Sequence, residues 1–327
     1  MTRMFEVPSH PGGDAARGRP PLTPIVELRA DERADGALKR IHRVLLRRII
    51  ANGIGVRAVS AGKHLHDFRV AVRRTRTGLR QLKRVYPGAE ASRFENGFRW
   101  FSETTSPARD LEVFLASVDP YRLALGSPPI DALTSLWAFL RQRERAERAL
   151  CTAALESERY RSLISEWSEF LDRPAANDDG PDNASRPIRE VAVERLGRAY
   201  SRVVRRGRDV EPSSPAATFH RLRLDCKKLR YLLEFFWGLF DRNESEQVIA
   251  ALRRAQDSLG SINDLRVQAE WVERAPDTPP EAGGALSAFL HERQREERSR
   301  FVESFTLFTC AETRTGFRRF LHSDPAD

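Results

Sequence analysis

The sequence predicts an all-α fold of two pseudo-symmetric helical bundles, a duplicated repeat around a shared basic groove or channel. Three observations carry this. Apolar residues recur at i, i+3, i+4 and i+7 along most of the chain, and no segment shows strand-like alternation with closely spaced turns. The stretch from His66 to Arg80 returns as His220 to Glu234, 154 positions later. Segments on either side return at nearly the same separation, so the chain reads as a doubled unit.

Residues 1–25 are rich in Pro and Gly, lack apolar periodicity and are expected to form a disordered tail. The first repeat is expected over 28–171, a polar linker over 172–187, and the second repeat over 188–323. A helix from Ala34 to Asn52 would turn Leu38, Ile41, Leu45 and Ile49 inward and carry Arg40, Arg43 and Arg47 alongside; Gly53 and Gly55 are read as its stop. Its counterpart runs from Ile188 to Arg206, with Val193, Leu196, Tyr200 and Val204 inward beside Arg195, Arg198 and Arg202.

The next helix starts near His66 and stops before Tyr86-Pro87-Gly88. At 100° per residue, His66, Arg69, Arg73, Arg76 and Arg80 share a sector about 80° wide, and Arg74 is a further candidate outside it. The copy presents His220, Arg223, Lys227, Lys228 and Arg230 before changing sign at Glu234. Phe68, Val72, Thr75, Leu79 and Leu82 form the core-facing seam, matched by Leu222, Cys226, Leu229, Leu233 and Phe236.

A third helix, Glu90 to Thr105, carries Phe94, Phe98 and Phe101, and Ser245 to Leu259 corresponds to it. A turn and an aspartate follow each: Ser106-Pro107 before Asp110, and Gly260-Ser261 before Asp264. These aspartates read as helix caps or structural ion-pair partners. Each half closes with a short helix, a Pro-rich loop (126–129 and 275–280) and one long helix. The long helices align Phe139-Leu140 on Phe289-Leu290, Arg143 on Arg293, Arg148 on Arg298 and Phe170-Leu171 on Phe320-Leu321.

The formal charge is +9. Residues 63–84 hold eight cations against the single Asp67, and 221–230 hold five against Asp225, so these two segments account for the whole excess. Like charges at i, i+3, i+4 and i+7 repel along a helix. Incurring that cost twice points to a polyanion such as polyphosphate, nucleic acid or an anionic membrane surface. Cys151, Cys226 and Cys310 are scattered, giving neither a disulfide framework nor a zinc spacing. With no signal-peptide core and no membrane-length apolar run, a cytoplasmic protein is expected.

His66-x-x-Arg69-x-x-x-Arg73-Arg74-x-Arg76 and His220-x-Leu222-Arg223-x-x-x-Lys227-Lys228-Leu229-Arg230-Tyr231 resemble the two signature helices of the CHAD family, the conserved-histidine α-helical domains. The resemblance covers about residues 28–323, and an aspartate stands 44 residues after each histidine. It implies two helical bundles around a basic channel, binding of inorganic polyphosphate, and association with polyphosphate granules. Nothing in the chain resembles the CYTH triphosphatase domain to which some relatives are fused. Thr75 departs from the family in standing where an apolar residue is usual.

Two roles stay open for His66 and His220: phosphate hydrogen-bond donor at the rim of the site, or buried histidine bonded to Asp110 or Asp264. Neither helix places a second His or carboxylate at i+3 or i+4, so no metal or other cofactor is expected. Three functions are weighed. A polyphosphate-binding module uses arginine forks and lysines to replace counterions. A phosphohydrolase or phosphotransferase would need Mg²⁺-holding carboxylates that the stripes lack. A nucleic-acid binder would want exposed aromatics among the cations, whereas most aromatics here have core phases. A non-enzymatic polyphosphate binder is the expectation, with membrane excluded as a partner and all four basic helices facing one shared site.

Overall fold

The computed structural model describes residues 26–58, 61–126, 130–174, 180–241 and 246–323; the expected N-terminal tail lies outside them. Among the described residues the chain is helical with no strand, and twelve α-helices carry it. The first repeat contains α1 (Ala34–Arg57), α2 (Ala61–Gln81), α3 (Gly88–Thr104), α4 (Ser106–Leu115), α5 (Val118–Leu125), α6 (Thr134–Glu156) and α7 (Glu158–Asp172). The second contains α8 (Ile188–Gly207), α9 (Ala216–Phe236), α10 (Glu246–Arg274), α11 (Pro280–Thr309) and α12 (Ala311–His322).

Several expectations about element ends are corrected. Helix α1 runs through Gly53 and Gly55 to Arg57. These glycines admit neighbours: a Cβ on Gly53 would lie 3.0 Å from the Tyr160 hydroxyl, and one on Gly55 would overlap the His64 ring. They therefore serve close packing, with no break in the backbone.

The aspartates are not caps. Asp110 is the fifth residue of α4, and Asp264 sits inside α10, which continues unbroken through Gly260 and Ser261. The repeats differ here because Pro107 stands where the second repeat has Ser261. Proline offers no N–H to the carbonyl four residues back and crowds it, so the first repeat breaks between α3 and α4 while the second forms one helix of 29 residues.

The long final helices are each interrupted once. Ser157 and Cys310 adopt extended backbone; the Ser157 hydroxyl accepts the Tyr160 N–H at 3.2 Å, and the Cys310 sulfur accepts the Thr313 N–H at 3.4 Å. A capping side chain starts α7 and α12 afresh, three residues later in the second of the aligned helices. The acidic Glu158 and Glu312 in the following first turns are sequence signals for such starts.

The apolar side chains gather into two cores, each drawing on both repeats. The larger joins α1, α2, α3, α7, α8, α9 and α12 with the first half of α10 and the second half of α11; Phe68, Phe98, Trp167, Phe219, Phe235 and Phe301 are fully buried in it. The smaller joins α4, α5 and the start of α6 to the end of α10 and the start of α11. Residues 181–187 of the expected linker strap across the repeats: Asn183 Nδ2 donates to the Lys83 carbonyl at 2.8 Å, the Ala34 N–H to the Arg186 carbonyl at 2.9 Å, and the Ile188 N–H to the Glu32 carbonyl at 2.8 Å.

Within the first core lies a histidine outside the basic stripes. His42 is completely buried, its Nδ1 3.1 Å from the Tyr86 hydroxyl and its ring edge-on to Trp167. Burial drives its pKa down to about 3, so it is a neutral packing residue.

Candidate functional site

Helices α2 and α9, the two basic copies, pack against each other, and α4 and α10 close on the same crossing. Each is amphipathic: its apolar seam enters the large core and its cations are left at the junction of the repeats. Arg73 of α2 and Arg223, Lys227 and Arg230 of α9 are close enough to act on one another electrostatically, together with Asp110 of α4 and Asp264 of α10.

Three cations stand out for what they lack. The side chains of Arg73 and Lys227 make no hydrogen bond or ion pair among the described residues, and the buried Arg73 Nε has no acceptor. Arg223 is bracketed by carboxylates yet only approaches one: its Nη2 is 4.0 Å from Asp264, and its buried Nε also lacks a partner. Burial, reinforced by Arg223 and Arg73, holds the Lys227 pKa well below the usual lysine range. Burial also lowers Arg223. Unpaired cations sharing a half-buried space are costly unless an anion joins them.

Other members of the stripes are already engaged. Arg69 is buried at 8% exposure and donates to the Ser102 carbonyl at 3.2 Å, the Thr105 hydroxyl at 2.9 Å and the Ser106 hydroxyl at 3.1 Å. It fastens the α3–α4 break that Pro107 creates, and burial beside Arg73 lowers its pKa to about 10. Its counterpart Arg223 meets the unbroken α10, so it has no such break to fasten. Arg76 donates to the buried Glu95 at 2.9 Å, and Lys228 to the buried Asp225 at 2.9 Å. Arg80 is exposed.

Arg74 reaches across the repeats to Glu234 at 2.7 Å, and Arg230 Nε lies 3.6 Å from the other oxygen of that carboxylate. Both guanidinium groups also lie over the buried Tyr231 ring. Burial alone would raise the Tyr231 pKa, but Arg73, Arg230 and Arg74 outweigh it and hold the phenol below its usual value. The sequence reading named Tyr231 only as part of a motif. The sign change at Glu234, where the first copy has Arg80, was the legible signal that the two copies are not used alike.

Four of the six stripe arginines of α1 and α8 are engaged by partners outside the α2–α9 cluster. Arg40 pairs with Glu32 at 2.7 Å, Arg43 with Asp172 at 3.2 Å, and Arg198 with Glu194 at 2.9 Å. Arg195 donates to the Lys83 carbonyl at 3.3 Å. Arg47 and Arg202 are exposed. The structure thus brings together the stripes of α2 and α9 and disperses those of α1 and α8.

The histidines differ. His220 is exposed near the start of α9, in the neighbourhood of Asn263; partial burial of its ring, then the neighbouring Arg223, lower its pKa. His66 is half-buried near the start of α2. Asp110 makes no ion pair within 4.0 Å among the described residues, and burial, with Asp264 beside it, raises its pKa against the pull of Arg69, Arg223 and Lys227. No group of three or more His, Cys, Asp or Glu side chains among the described residues is arranged to hold a metal ion, and no described helix is long and apolar enough to cross a membrane.

Comparison with known proteins gives this architecture relatives. A crystal structure of the CHAD domain from the plant Ricinus communis superposes with a TM-score of 0.74 at 26% identity, covering 90% of this chain and 98% of that one. PptA from Streptomyces chartreusis shares the fold, with a TM-score of 0.61 at 17% identity, covering 88% of this chain and 99% of its own. No curated protein matches the sequence. The CHAD domain family matches residues 40–273, a span that holds α2, α9 and both aspartates. The chain belongs to the CHAD-domain family.

Proposed function

We propose that the protein binds inorganic polyphosphate at the crossing of α2 and α9. The observation that carries this reading is the group of Arg73, Arg223 and Lys227, gathered from both repeats with no carboxylate in direct contact with Arg73 or Lys227. A polyphosphate chain offers a charge on every unit, so one segment can serve several cations at once. Arginine suits this task because its planar fork can engage two oxygens of one phosphate. His220, exposed at the end of α9 nearest Arg223, is placed to donate to a phosphate at the rim. In the cell such a site would tether the protein to polyphosphate granules in the cytoplasm.

The reading is of a binding module rather than a hydrolase. Phosphoryl transfer draws on metal-holding carboxylates beside the phosphate. Asp110 and Asp264 lie instead among Arg69, Arg223 and Lys227 and serve as their counter-charges, and Glu234 is taken up by Arg74 and Arg230. The deciding experiment measures affinity for long-chain polyphosphate, single-stranded DNA and heparin at several salt concentrations. Preference for polyphosphate with a steep salt dependence is expected; equal or tighter binding of DNA would replace this reading with nucleic-acid recognition.

A further inference from the structure

The free cluster has an internal conflict that a bound anion would resolve in a measurable way. Lys227 stands on α9 one turn after Arg223 and three residues before Arg230, on the face that meets charges from α2, α4 and α10. Its own helix supplies Arg223 and Arg230, with His220 one turn beyond Arg223; α2 supplies Arg73; α10 supplies Asp264 and α4 supplies Asp110. The strongest charge influences on it are cationic, and among the described residues no carboxylate comes within ion-pair distance of the amine. Arginine next to arginine stays charged at any physiological pH. Lysine is the one member of this trio that can relieve the repulsion by giving up its proton.

We propose that Lys227 is a proton-accepting ligand group: its amine takes up a proton as a phosphate chain seats beside Arg73 and Arg223, so that anion capture and protonation are one linked event. This rests on the polyphosphate reading of the cluster and adds its regulation. The geometry explains the direction. In the free protein two guanidinium groups act against the charged amine, while Asp264 and Asp110 attract it only from a distance. A phosphate placed among the three cations reverses the balance and favours the ammonium form. Affinity then falls as pH rises, over the interval between the depressed value in the free state and the restored value in the complex. The anion and the proton arrive together.

The test is calorimetric titration with long-chain polyphosphate between about pH 7 and 9.5, at fixed salt, in paired buffers that differ in ionisation enthalpy. Long chains keep the titrating terminal phosphates a small fraction of the total. The wild type is expected to absorb protons on binding and to lose up to about tenfold in affinity per pH unit where a whole proton is exchanged. Lys227→Arg should bind across the range with the uptake lost. Lys227→Met should bind more weakly with a flat pH profile, and without ligand it should resist urea better than wild type at neutral pH. Its urea midpoint also confirms that the variant is folded. Uptake unchanged in Lys227→Arg would move the proton to His66, His220 or Asp110 and overturn the assignment, as would a pH-independent wild-type affinity. Absence of polyphosphate binding at every pH would sink the functional reading itself, a separate result.

Discussion

Glu234 of the second repeat accepts Arg74 of the first, with Arg74 Nε and Nη2 both 2.7 Å from the same carboxylate oxygen. The pair crosses between α2 and α9, and Arg230 approaches the other oxygen. At 5% exposure Glu234 is the nearest counter-charge holding the two basic helices together.

Removing it should therefore be severe. Glu234→Gln leaves Arg74 and Arg230 facing each other with the charge of neither met, and breaking a buried pair from one side costs about 3–5 kcal/mol. The expected result is a large drop in the urea midpoint, partly restored by polyphosphate, since a ligand of the folded state stabilises it by mass action. A midpoint within error of wild type would remove Glu234 from the interface holding the repeats.

Arg69 and Arg73, one helical turn apart on α2, should behave in opposite ways. Arg69→Ala removes three hydrogen bonds at the α3–α4 break, and a bond to a charged group is worth roughly 1.5–3 kcal/mol, so stability should fall. Arg73→Ala removes a cation with no bonded partner; stability should hold or rise while polyphosphate affinity drops on the order of tenfold. Melting each variant without ligand and titrating each at low and moderate salt separates the two roles.

His42 sets an acid limit on the fold. Its folded value of about 3 lies below the unfolded value of 6.5, so the unfolded chain binds the extra proton. The contribution is fully present above pH 6.5 and is lost as pH falls, at up to roughly 1.4 kcal/mol per unit until the folded value is reached. Replacing His42 with Gln should flatten the stability profile between pH 6 and 4, as read by urea denaturation at each pH. An unchanged profile would assign acid sensitivity to other groups.

Metal removal should leave binding intact. The proposed contacts are between phosphate and the side chains of Arg73, Arg223 and Lys227, so EDTA should not reduce affinity and the purified protein should release no phosphate from polyphosphate. Phosphate release that follows the protein through purification and depends on added Mg²⁺ would show an enzyme.

The cluster was half legible in the sequence. Local periodicity fixes which face of a helix is basic, and the recurrence of His66–Arg80 as His220–Glu234 identified both helices of the crossing before any coordinates. The same logic overreached for Arg40, Arg43 and Arg195, whose phase is as regular but whose partners, Glu32, Asp172 and the Lys83 carbonyl, come from other segments, and for Arg198, which is taken up by Glu194 one turn back on its own helix. Phase shows where a side chain points and is silent on what stands opposite.

What the sequence determined by itself was the all-α class and the concentration of charge on two short segments, because these follow from spacing along one chain. What only the tertiary structure decided was which cations are left without a counter-charge. Arg69 and Arg223 occupy equivalent positions in the repeat, yet Pro107 breaks the helix opposite one and Ser261 continues the helix opposite the other. The first arginine is taken up by backbone and hydroxyl oxygens at the break, while the second keeps an unbonded Nε beside Lys227. An ion's partner depends on three-dimensional proximity and burial, and neither is a property of the stretch that carries it.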